Sequence, residues 1–415
     1  MPPGDNFATI RPRNVAILVK AETTVGTDAA PDASNAIPFE ADGFSYNAPY
    51  KSEASNEVNG SLVASSPLIV GQPATVSIKV RLKGAGPGVT YTSLIKPPHH
   101  TLLEACGHRG LFTAAVSAVA LAAGTVSSAT LGAGFGTTAQ AYRGMPLQLA
   151  AGNSNGRLVH ISDYSAAKVA TLADVFAAAL TTSVTAALPA NWTYAGTSPK
   201  DVASRATDHP SATVYIYEDG TLHKFVGCRG SIEDEGGQTA RPGFATFNLM
   251  GIYAGKSQAA VPVVTVPQHS APILAMGTGG VNPALVVNRK ELKVSQWSLN
   301  EGQQKEVTDD PNTAYGFGSP ELAGRSPRLQ IDPLATLTTN RDTVAEIEAG
   351  SQYPAVIRYG SVAGNRFSLT MPLLQPADPA VAQRGIYRSE NLALAVLNPG
   401  VDPAGRDNES ILCFY

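Results

Sequence analysis

Apolar residues in this chain fall in short alternating runs, and almost nowhere at the three-to-four spacing of a long amphipathic helix, which predicts a β-dominated fold. Residues 15–20 read as a strand that passes into a loop rich in Gly, Asp and Pro and returns as extended chain at 37–40. A hairpin is predicted over 212–225, turning at Asp219-Gly220, with a further strand over 243–253. A second hairpin is predicted over 355–369, turning within 360–364, with a further strand over 386–397. Two short helices interrupt the strands. One covers 98–106, with prolines at its start and Gly107 after it, and the other covers 340–349, followed by Gly350.

These elements recur in order. Ser319-Pro320, Gly324 and Ile331 answer Ser66-Pro67, Gly71 and Ile78, with one residue of slip, and each set is followed by helix, hairpin, loop and strand. The chain therefore reads as two copies of one α+β unit. The expected class is mainly β (α+β), with two tandem β-sandwich units. The first spans 1–112 plus 205–255, an inserted β module spans 113–204, a linker spans 256–284, and the second unit spans 285–415.

Composition narrows the function. The 415 residues are 43% hydrophobic and 15% charged, with 39 glycines and 30 prolines, so turns are many and a sizeable core is affordable to build. A formal net charge of -3 argues against a surface that grips DNA through many cations. Cys106, Cys228 and Cys413 are too few and too scattered for a disulfide framework. No basic segment followed by an apolar one opens the sequence, and the apolar run around 114–123 is too short to span a bilayer, so a soluble protein is expected.

Residues 20–31, Lys-Ala-Glu-Thr-Thr-Val-Gly-Thr-Asp-Ala-Ala-Pro, end an apolar strand and are followed by Asn35-Ala36-Ile37. This stretch resembles the N-terminal segment of tail tube (major tail) proteins of long-tailed, siphovirus-like bacteriophages. The run from Lys96-Pro97-Pro98-His99-His100 to Cys106-Gly107 resembles the short helix of that family, and Asp219 to Phe225, Gly227 to Gly230 and Phe244 to Tyr253 resemble its hairpin and closing strand. The likeness covers 14–112 and 205–255, and 285–397 more loosely. Within 113–204, Gly144-Met145, Leu147, Leu149, Gly156-Arg157, Ile161, Tyr164 and Lys168 to Thr171 resemble a small β module inserted in various tailed-phage virion proteins, which implies an outward-facing position. The alternative is an elaborated part of the first sandwich.

Catalytic motifs fail on context. Gly152-Asn153-Ser154-Asn155-Gly156 fits a nucleophile turn, yet a strand follows it where a helix is needed. Gly132, Gly134 and Gly136 are not followed by Lys-Ser/Thr or a helix. His99, His100, Cys106 and His108 lack the second ligand pair of a zinc site. No cofactor, metal or enzymatic activity is expected.

The resemblance implies a structural virion protein, assembled in the host cytoplasm, whose rings stack into a conduit for double-stranded DNA. Two units per chain imply trimeric rings with pseudo-sixfold symmetry, meeting terminator, distal tail and tape measure proteins. Glu218, Asp219, Glu233, Asp234 and Glu235 read either as solvated loops or as a weakly acidic lumen that repels phosphate. The loops 45–66 and 297–318, with Ser66, Pro67, Gly71, Ser319, Pro320 and Gly324, are expected to carry ring-on-ring stacking. A baseplate, distal tail or terminator ring and a β-rich adhesin are the alternatives.

Overall fold

A computed structural model describes residues 14–415 except 48, 59, 64, 276–281 and 314. It is 48% strand and 6% helix, with three α-helices among the described residues, which makes the fold mainly β. No helix among them is long and apolar enough to cross a membrane.

Sixteen strands form one sheet. In the first half the neighbours run Val15–Ala21, Ala212–Glu218, Thr221–Gln238, Phe244–Gln258, Ala74–Arg81 and Phe44–Tyr46, every pair antiparallel. In the second half they run Leu285–Val287, Tyr353–Tyr359, Phe367–Arg384, Tyr387–Val396, Arg328–Ile331 and Gln296–Asn300, again all antiparallel. The two orders match position for position. They also share an irregularity: the register slips between Val214↔Phe225 and Ala212↔Cys228, and likewise between Ala355↔Met371 and Tyr353↔Leu374. The local twist such a bulge adds is thus placed alike in both halves.

Alternation explains which face each strand buries. Ala74, Val76, Ile78 and Val80 point to the core while Thr75, Ser77, Lys79 and Arg81 point away, the pattern of a sheet covered on one side. Tyr353–Tyr359 is buried on both faces because other chain covers its back. The two expected helices are present as His100–Ala105 and Thr343–Glu348. The first buries Leu102, Leu103 and Ala105 and is stopped by Gly107 at φ +75°, a conformation that favours glycine. Asp342 caps the second through the Ala345 amide at 3.1 Å. The third helix, Val202–Asp208, was not expected; Asp201 and Ser204 form its capping box. One apolar cluster runs through both halves and includes Ile78, Phe247, Trp297, Leu329, Tyr359 and Phe414.

A separate seven-stranded sheet, with its own core of Leu147, Ile161, Tyr164, Leu172 and Ala186 among others, lies within residues 116–188. It is narrower than the 113–204 module read from sequence. His108–Thr113 and Asn191–Thr197 belong to the large sheet, and Asn191–Thr197 pairs on its other edge with Arg406–Phe414. The small sheet is seated on the second half. The buried Arg358 guanidinium reaches the Asp174 carboxylate, and its Nε donates to His160 Nδ1 at 3.0 Å; Arg157 completes the group at 3.2 Å from Asp174. Around them Ala173, Val286 and Val356 close together.

Asp174→Ala is expected to leave Arg358 buried without its counter-charge and to destabilise the protein by about 3–5 kcal/mol. A denaturation series against the unmodified protein checks this; an unchanged midpoint would show that the group is not needed for seating.

Candidate functional site

The two halves meet edge to edge. The far end of Thr221–Gln238 pairs with Gln296–Asn300, from Glu235↔Leu299 to Gln238↔Gln296, so that the sheet passes from one half into the other without a break. Trp297 seals this junction at 3% exposure. Its Nε1 donates to the Tyr359 hydroxyl at 2.8 Å, and Tyr359 stacks on Phe367 with ring centroids 4.5 Å apart. A Cβ at Gly237 would overlap the Tyr359 hydroxyl, so glycine is required there.

Charged groups lie buried beneath the junction. His108 Nε2 stands 3.7 Å from Glu301, whose carboxylate also accepts from Ser410 Oγ at 2.7 Å. Arg325 donates to Glu409 at 2.6 Å and to Asp407 at 2.5 Å. Glu235 is enclosed here as well; burial, with the negative charge of Glu301 beside it, pushes its carboxyl up to about 8. Burial by itself would depress His108, but the Glu301 carboxylate outweighs it and raises the imidazole above its ordinary value.

The five acidic residues do not form one wall. Glu218 accepts from the Tyr46 hydroxyl at 2.7 Å, and Asp219, at the adjoining hairpin turn, accepts from Asn14 at 2.6 Å. Glu233 sits at the bulge, bonded by Asn248 and 4.0 Å from Lys305. Asp234 lies on the open face near Lys79, and burial raises its pKa despite that lysine. Glu235 corrects the expectation of a lumen-facing cluster: strand alternation turns it to the face opposite Asp234, where it is 3% exposed. The open face around Asp234 is polar but mixed in sign, carrying Lys79 and Arg81 on Ala74–Arg81 and Gln296, Gln330 and Asn391 across the junction.

The two loops also differ from expectation. Each begins a two-stranded hairpin that runs on past the loop, Tyr50–Glu53 with Leu68–Gly71 and Gln304–Asp309 with Phe317–Gly324. The second is held against the first half of its own chain. Ser319 Oγ donates to the Gly227 carbonyl at 2.5 Å, the buried Arg229 donates to the Pro320 carbonyl at 3.3 Å, and Gln303 accepts from the Ile232 amide at 2.7 Å. Ser319 and Pro320 are therefore engaged within the molecule, because Arg229 requires an acceptor there. Gly324 ends the same docked strand. Ser66 and Pro67 are exposed, Gly71 closes its strand, and Leu68 and Ile69 are 58% and 71% exposed.

Residues weighed for chemistry are occupied elsewhere. Burial lowers the His99 pKa to about 3, and its ring nitrogen Nε2 lies 3.1 Å from the Arg81 carbonyl; His100 Nδ1 meets the Tyr194 hydroxyl at 2.8 Å. Ser154 is buried and donates to the Ala151 carbonyl at 2.7 Å, as a turn serine does. Cys106, Cys228 and Cys413 are buried and unpaired. Among the described residues no three or more His, Cys, Asp or Glu side chains converge as metal ligands. In a cleft lined by Arg205, His209, Arg229, Glu321 and Arg325, Arg205 pairs with Glu321 at 2.8 Å, Arg325 pairs with Asp407 and Glu409, and Arg229 donates to the His209 and Pro320 carbonyls. Sequence reasoning missed the junction. It ended the strands near Phe225 and Leu369, whereas they continue to Gln238 and Arg384; the polar alternation past Gly230 was the available signal.

No family model matches the chain, and no curated protein matches it either.

With its carboxyl raised from 4.5 to about 8, Glu235 holds a proton that the unfolded chain has released across that interval. Its contribution to stability is therefore complete below the lower value and is lost as pH rises through the upper one. Thermal midpoints are expected to fall between about pH 5 and about pH 8, and Glu235→Gln to flatten that fall. Equal slopes for the two proteins would contradict this placement of the proton.

Proposed function

We propose that the chain is a tail tube protein of the kind found in long-tailed, siphovirus-like phages. It is a structural subunit with two tandem tail-tube-type sandwich units, three copies to a ring of pseudo-sixfold symmetry. The rings stack into a virion conduit through which double-stranded DNA passes. The observation that carries this reading is the matched order of six strands in each half, with the halves joined through a sheet edge. A chain that contains one such joint and presents the same kinds of edge at its ends is suited to head-to-tail assembly, which closes when the rotation per unit divides a full turn. The mixed, weakly charged open face is compatible with DNA sliding past without adhesion, since few cations stand ready to displace phosphate counterions. Terminator, distal tail and tape measure proteins are the partners this role requires.

One observation favours a second reading. The hairpin ending at Gly324 is spent within the chain rather than offered for stacking, which would suit a distal tail or terminator protein that forms a single ring. Negative-stain images of the purified protein are expected to show hollow rings of three subunits that lengthen into tubes. Rings that never stack would favour the single-ring alternative, and a monodisperse monomer at all concentrations would remove both.

A further inference from the structure

Of the two Gln296-type strands, one has a partner on its second edge inside the molecule, and its counterpart has none among the described residues. Phe44–Tyr46 occupies in the first half the place that Gln296–Asn300 holds in the second, and it pairs with Ala74–Arg81 on one edge alone among the described residues. The outer edge of Phe367–Arg384 is likewise covered by Tyr353–Tyr359 only as far as Leu374, whereas in the first half the corresponding edge continues into the junction. Trp297 is buried there; Phe44, its positional counterpart, is half-exposed.

We infer that two copies of this chain join by repeating the internal junction, residues 381–384 of one copy pairing antiparallel with residues 43–46 of the next. This rests on the assembly reading above and specifies its contact. The register follows from counting. Glu235 lies seven residues beyond Cys228 at the shared bulge, and Val381 lies seven beyond Leu374 at the same bulge. On the other side, Ile78 pairs with Phe44 and Phe247, and Ile331 with Trp297 and Leu392, so Leu299 corresponds to Tyr46. Glu235↔Leu299 thus becomes Val381↔Tyr46, and Gly237↔Trp297 becomes Gln383↔Phe44.

Backbone direction agrees independently. Lys79 donates to the Gly43 carbonyl at 2.6 Å and Asn47 to the Thr75 carbonyl at 3.0 Å, so Gly43, Ser45 and Asn47 bond inward, and the amides of Phe44 and Tyr46 face outward. Glu390 donates to Pro333 at 2.9 Å, which turns residues 389 and 391 towards 382 and 380 and leaves the groups of Val381 and Gln383 facing outward. The inferred register brings these four residues together as the hydrogen-bonded pairs. Sliding two residues towards Pro379 would put a proline, which has no amide hydrogen, where a donor is needed; Pro376 and Pro379 therefore confine pairing to the stretch beyond them. Val381 is 71% exposed, available for such a contact. The exposed hairpin with Leu68 and Ile69 follows the same logic. Its counterpart docks at Gly227 and Arg229, which correspond to Leu373 and Gln375, and that is the surface of the next copy it would cover.

The test is a double variant of the full chain, Ser45→Cys with Ala382→Cys, a non-hydrogen-bonded pair in this register, oxidised mildly after assembly. Covalent multimers ending at a closed trimer on a non-reducing gel are expected, with Ser45→Cys plus Ala380→Cys giving roughly tenfold less, because disulfide geometry is exacting. Rings that form without the 45–382 bond, or that cross-link better through 380, would overturn the register while leaving the tube reading in place; absence of any assembly would overturn both. Val381→Pro guards against a cysteine pair that itself blocks assembly. It removes an outward amide and no bond of its own sheet, so the monomer is expected to keep its thermal midpoint while ring formation needs about tenfold more protein. Unimpaired rings from Val381→Pro would also overturn the inference.

Discussion

Continuity of one antiparallel sheet across the two halves is the constraint on which the rest depends. The joint itself is short, four residue pairs from Glu235↔Leu299 to Gln238↔Gln296, and backbone hydrogen bonds over so small a span contribute only modestly to stability. Aromatic burial makes it firm. Trp297, Tyr359 and Phe367 fill the space beneath it, and the Trp297 indole finds its acceptor in Tyr359, so that no polar group is stranded. Gly237 permits that approach.

The cost of this arrangement is a set of charges enclosed below the sheet. His108, Glu301, Arg325, Asp407 and Glu409 come from the first half, the second half and the final strand, and each meets an opposite charge from another element. Buried ion pairs of this kind add little net stability against a well-packed apolar alternative, but they discriminate strongly against wrong registers, which would leave charges unmatched. The Arg358–Asp174–Arg157 group does the same for the seat of the small sheet. Both clusters therefore fix how parts of the chain sit on one another.

Much of the fold was legible. Alternation gave the two hairpins and the strand that follows each, because one-sided burial writes a period of two into the sequence, and proline and glycine punctuation gave two of the helices. The strand ends were not legible. Glycines 227, 230, 236 and 237 dilute the pattern in one long strand, and Pro372, Pro376 and Pro379 break it in the other, although an edge strand tolerates proline. The candidate site suffered for the same reason. Glu233-Asp234-Glu235 looks like a charged loop in sequence, whereas a bulge in mid-strand sends Glu235 into the interior. No local signal tells that a hairpin around Ser319 lies on its own chain while its counterpart around Ser66 is exposed.

The strand Asn191–Thr197 stands between His108–Thr113 and Arg406–Phe414. Synthesis proceeds from the first half to the second, so one edge of Asn191–Thr197 stays without its neighbour until residues 406–414 have left the ribosome. The first half is thus unable to reach its finished state during translation, and completion of both halves is a single late event. Subunits become competent to meet one another only as whole chains, which keeps nascent fragments with open sheet margins from entering an assembly.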